Sequence, residues 1–161
     1  MPEMTLLGWF HTILGILAVL SGFYTLYKYR VISYDISSGK LYILVTLLVA
    51  GSALGIYNQG GFGVAHVLAV LTLIALAGGY IMERYKWFGS FSKYFQALGY
   101  TSTLLFHMIP AITDFLRRLP VGDTFIDSFE DPLLMNFHLA FLIIYLVGIV
   151  LQMVWLKRSQ V

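Results

Sequence analysis

Four histidines and one polar stripe are where this sequence can do chemistry. Gln96, Tyr100, Thr103, His107, Pro110 and Asp114 recur at steps of 4, 3, 4, 3 and 4, so a helix carries all six on one stripe. Most of the residues between them are apolar or small. On so hydrophobic a helix, that stripe is expected to face other helices or a bound group, because polar side chains turned to lipid are costly. His11, His66 and His138 lie in three further apolar stretches. Imidazole ligates haem iron, copper, zinc and non-haem iron. The candidate ligands are therefore His11, His66, His107 and His138, with Asp114 the obvious carboxylate at helix depth. The plain alternative for each histidine is a buried hydrogen-bonding residue that ties two helices together.

The elements that must hold these side chains follow from composition. Of the 161 residues, 59% are hydrophobic and 11% charged, with a mean hydropathy of +0.82. Soluble domains have about a quarter of their residues charged, so the deficit points to a bilayer. The chain has no cysteine, which removes disulfides, thiolate metal sites, iron–sulfur clusters and haem attached through Cys-x-x-Cys-His. No stretch is left over for a soluble redox or hydrolase domain.

Five apolar stretches predict an all-α bundle of five transmembrane helices in a single membrane domain over residues 1–161. The spans are Thr5–Tyr27, Leu41–Tyr57, Phe62–Met82, Lys93–Leu116 and Pro132–Leu156. Each comes close to the ~20 residues that cross a ~30 Å hydrocarbon layer, and the second is the shortest. The four residues before the first span include no basic residue, so that span reads as a retained helix and not a cleaved signal. Gly8, His11, Gly15 and Gly22 lie along one of its faces, a small-residue stripe that admits a neighbouring helix or a flat macrocycle. Asn58-Gln59-Gly60-Gly61 is a turn signal, and Tyr85–Ser92 is aromatic and basic, as at a headgroup boundary. Pro110 removes a backbone donor three residues past His107 and predicts a bend there. The long loop Arg117–Asp131 holds Asp123, Asp127, Glu130 and Asp131 with Phe125 and Phe129, and reads as a short amphipathic cap. The last span has its own stripe of His138, Phe141, Tyr145, Gly148 and Gln152.

Basic residues orient the bundle. Lys28, Arg30, Lys40, Arg84, Lys86, Lys93, Lys157 and Arg158 fall on one side, eight against the two arginines, Arg117 and Arg118, on the other. The positive-inside rule then puts the N-terminus outside and the C-terminus in the cytoplasm of a bacterial or archaeal cell. At ~1.5 Å per residue, His11, His66 and His138 lie roughly 6–10 Å below the outer boundary and His107 roughly 14 Å below it. All four sit in the outer half, on different helices. Depth does not reveal helix rotation, so the pairs His11 with His107 and His66 with His138 both stand.

Histidines on several spans, aromatic fill and little else resemble the four- and five-helix membrane b-type cytochromes over most of the chain. That resemblance implies haem b and electron transfer, alone or as a small subunit of a redox complex. The chain departs from the two-haem members, because its inner half has no histidine. His11, Gly15, Gly22 and the Gly39-Lys40-Leu41-Tyr42 segment also resemble an uncharacterised family of small bacterial membrane proteins, with Asp35 where that family tends to have a histidine.

Two other functions compete with the haem reading. One is a non-haem site for copper, zinc or iron, in a carrier or an enzyme, with His107 and Asp114 as ligands and Tyr100 or Gln96 deeper in the stripe. The other is a structural subunit, or one whose histidines hold the magnesium of a chlorophyll-type pigment. Tyr80, Tyr100 and Tyr145 read as packing and interfacial residues before redox relays. The expected partners are the lipid bilayer, other membrane subunits or a cationic electron carrier docked on the outer acidic loop. The inner basic residues follow from orientation alone and call for no nucleic-acid or lipid partner. No span shows the broken half-helices or repeated half of a transporter.

Overall fold

A computed structural model describes residues 5–57 and 61–159. Most of the turn expected at Asn58–Gly61 lies outside them. Five α-helices follow in order: α1 Leu6–Tyr29, α2 Ser37–Ala53, α3 Val64–Tyr85, α4 Ser92–Arg118 and α5 Pro132–Arg158. A short 3-10 turn, Gly89–Phe91, leads into α4. The helix ends are set by local chemistry. Thr5 Oγ1 accepts from Gly8 N–H to start α1, and Asp131 accepts from Leu133 N–H with Pro132 opening α5. Arg30 and Lys86, at φ 63° and 49°, end α1 and α3 in the left-handed conformation.

One expectation needs correction. The second helix starts at Ser37, four residues before the apolar run, and stops at Ala53. Its first turn is polar (Ser37-Ser38-Gly39-Lys40), which a hydropathy reading assigns to the loop. Gly39 lets that turn form, since a Cβ there would collide with the Ser33 carbonyl. The acidic loop after α4 forms turns and no helix. It is held by Ile126, 3% exposed, tucked against Leu116 and Leu134, with Ile126 N–H donating to the Leu116 carbonyl. Arg117 lies over the Phe129 ring at 3.8 Å.

Contacts of α1 with α2, α2 with α3, α3 with α4 and α4 with α1 close a ring of four helices, and α5 packs on α4. The core of the ring is Ala18, Tyr42, Val45, Val49, Leu76, Tyr100 and Leu104. Glycine permits close approaches between helices. A Cβ at Gly99 would lie 2.8 Å from the Ala75 carbonyl oxygen and 3.0 Å from Gly79 N, so α3 and α4 touch backbone to backbone. A Cβ at Gly22 would lie 2.8 Å from the Tyr42 and Leu104 side chains. Gly15, on the same expected stripe, has nothing within 4 Å.

Outward, the bundle is apolar. Ile13, Leu20, Ile74, Ile144 and Leu151 are each 62–65% exposed, a surface suited to lipid and not to water. Helices α1, α3 and α5 are long and apolar enough to cross a membrane.

Candidate histidine site

Inside the ring, where α1 and α3 begin, lies a cavity of about 70 Å³ lined by residues of all four helices. Alanines hollow it out: Ala50 and Ala53 from α2, Ala65 and Ala69 from α3. His11 enters from α1 and His107 from α4. These two, far apart in sequence, are the histidines that share a space. Phe106 and Pro110 line the same cavity. Because Pro110 has no N–H, the Phe106 carbonyl lacks its helical donor.

A hydroxyl on α2 sets each ring. Ser52 Oγ donates to the Val49 carbonyl at 2.9 Å, so its proton is committed. With that proton on Val49, the 3.0 Å contact to His11 Nδ1 is Nδ1–H donating to Ser52 Oγ in the matching tautomer. That tautomer leaves the His11 Nε2 lone pair unused. His107 Nε2 lies 3.1 Å from Thr46 Oγ1, with Thr46 fully buried and His107 9% exposed. A hydroxyl can accept or donate, so His107 can give its Nε2–H to Thr46 and offer Nδ1 as a ligand. Tyr42 meets His107 edge-on, with centroids 6.3 Å apart, and bonds Thr103 on the next turn of the stripe.

The other candidates lie elsewhere. His66 is 4% exposed, between the rings of Tyr57 and Phe62 at 4.7 and 5.0 Å. Its Nδ1 accepts from Gly63 N–H at 3.1 Å, capping the start of α3. The neutral ring therefore carries its proton on Nε2, which has no partner among the described residues. A metal at Nε2 would force a proton onto Nδ1 and break the cap. His138 Nε2 meets Thr113 Oγ1 at 3.2 Å, linking α5 to α4. Asp114 is 66% exposed beside Arg118, at 3.6 Å, a surface pair of small energetic weight. Among the described residues no three side chains of the His, Cys, Asp or Glu types gather as a metal site.

A porphyrin plane is far larger than the cavity, so as packed the helices leave no slot for haem between His11 and His107.

The opposite end of the bundle holds a network that sequence reasoning missed. Glu83 takes hydrogen bonds from Ser33 Oγ and Tyr34 N–H on one oxygen and from Tyr100 OH, at 2.8 Å, on the other. Gln152 accepts from Thr101 Oγ1 and donates to the Arg30 carbonyl, and Gln96 donates to the Ile32 carbonyl. Tyr100, Gln96 and Gln152 stand in the polar stripes, whereas Glu83 lies one residue past the third predicted span. Its role depends on the α1–α2 turn, which no periodicity locates. The network does not reach the histidines as a proton path. Thr103 Oγ1 donates to the Tyr100 carbonyl, a group with no proton to pass on, and not to the Tyr100 hydroxyl.

Compared with protein-family models, curated proteins and solved structures, the chain matches none, so its site is read from its own geometry.

Proposed function

We propose that this is an integral membrane protein that binds a transition-metal ion between His11 and His107. All five helices cross the bilayer in this reading, with the N-terminus outside and the C-terminus in the cytoplasm, so the ion lies in the outer half. The carrying observation is that the two imidazoles line one cavity, each steered by an α2 hydroxyl. Hydrogen bonds of this kind orient metal-ligating histidines and set their tautomers. The ligand set also selects the ion. Its two imidazoles are neutral and the lining has no carboxylate among the described residues, so a divalent charge would be uncompensated by them in a low-dielectric interior. Copper(I) carries one charge, accepts two nitrogen ligands and suits imidazole. The role that follows is a copper-holding or copper-passing subunit at the outer membrane half.

Haem b remains the competing ligand for the same pair, and one preparation separates the two. Purified chain, loaded with copper under ascorbate, should hold one copper per chain with no Soret band. His11→Ala and His107→Ala should each abolish retention, while His138→Ala keeps it. A Soret band would instead support haem, with the helices parted around it. Copper retained by the His107→Ala chain would overturn the site.

A further inference from the structure

The end of the bundle opposite the histidines carries a second, open cavity of about 330 Å³ where α3 turns into α4. Its wall includes Glu83, Lys86, Ser90, Ser92, Lys93 and Gln96. The turn is shaped by Lys86 and Gly89, both at positive φ (49° and 55°), and tied by Phe88 N–H donating to Ser92 Oγ at 3.0 Å. We propose that this pocket binds the phosphate of an anionic membrane lipid.

Charge is the first ground. Among the described residues the one ion pair is Arg118 with Asp114, so Lys86 and Lys93 pair with no described acid. Glu83, the acid in the wall, has both oxygens engaged by Ser33, Tyr34 and Tyr100. Lys93 is also held in place: Nζ gives one proton to the Leu156 carbonyl at 2.8 Å and keeps two for a ligand.

The second ground is the backbone. Helix α4 starts at the pocket rim with no side-chain cap, and although its Ser92 N–H is taken by the Gly89 carbonyl, the positive end of its dipole favours an anion there. The Ser92 hydroxyl accepts from Phe88 and still has a proton to donate.

The third ground is depth. Trp87, Phe88, Phe91 and Phe95, 47–68% exposed, surround this turn, and aromatic rings of this kind settle at the headgroup level. A phosphate held there is a lipid's, with its acyl chains beside the exposed apolar faces of the helices. The inference rests on the proposed membrane crossing but not on copper. It is tested in vesicles with the lipid in both leaflets, so neither orientation nor metal affects the result.

The experiment uses the full chain with Trp9→Phe and Trp155→Phe, leaving Trp87 as the sole tryptophan. It is reconstituted in phosphatidylcholine vesicles, and quenching of Trp87 by brominated phosphatidylglycerol is compared with quenching by brominated phosphatidylcholine. A lysine beside an anionic surface contributes a preference of roughly fivefold, so Lys86→Gln and Lys93→Gln should each lower the phosphatidylglycerol preference by about that factor. Lys93→Arg should retain it. Lys28→Gln, on α1 at the same end of the bundle, should leave it unchanged. Equal quenching by the two lipids in the parent chain overturns the proposal. So does a loss with Lys28→Gln as large as with Lys86→Gln, which would mean diffuse attraction. Removal of the preference by millimolar inorganic phosphate would assign the pocket to a soluble anion and overturn the lipid assignment.

Discussion

Thr46→Val is the substitution that separates a steered ligand from a merely buried histidine. Valine keeps the shape of threonine, so the core around a fully buried position should not open. What disappears is the hydroxyl 3.1 Å from His107 Nε2. His107 is 9% exposed, and an unsatisfied buried group costs about 1–3 kcal/mol. Unfolding of the purified chain in mixed detergent should show that loss. Copper(I) affinity, read by competition with a chromophoric chelator, should fall roughly 10–100-fold, as when a metal-bound histidine loses the group that orients it. The decisive comparison is a double-mutant cycle with His107→Leu. In the His107→Leu background Thr46→Val should cost nothing in stability, because no ring nitrogen remains to be orphaned. An equal cost in both backgrounds would mean that Thr46 acts by packing alone. A copper affinity untouched by Thr46→Val would refute the orienting role.

Two further perturbations test the frame around the site. Gly99→Ala should destabilise the bundle by about 1–3 kcal/mol in the same unfolding assay, since its methyl meets the Ala75 and Gly79 backbones, which cannot rotate away. Gly15→Ala, with open space around it, should be neutral or stabilise by up to about 1 kcal/mol. Equal losses would contradict the backbone contact of α3 with α4. Glu83→Ala should orphan the hydroxyl of Tyr100, whose side chain is fully buried, and cost about 1–3 kcal/mol. Glu83→Gln, which keeps an acceptor, should cost less.

The histidine site was half legible. The 4-3-4-3-4 spacing put Tyr100, Thr103 and His107 on one stripe, and all three are buried. Asp114 continues the same spacing yet stands 66% exposed beside Arg118, since a stripe that faces inward mid-helix leaves the core near the helix end. The glycine stripe on α1 divided likewise: Gly22 lies against Tyr42, and Gly15 touches nothing. Spacing reports which residues share a face, but not which neighbour, if any, that face meets.

An all-helical chain suited to a bilayer was readable from 11% charge, long apolar runs and the helical period, because these are local, additive properties of the residues. Which histidines meet was not readable. His11 and His107 are brought to one cavity by the rotation of α1 and α4 about their axes, and that rotation is set by contacts far apart in the chain, such as Gly22 against Tyr42 and Leu104. The cavity and the hydroxyls that orient the two rings come into being only when the four helices close.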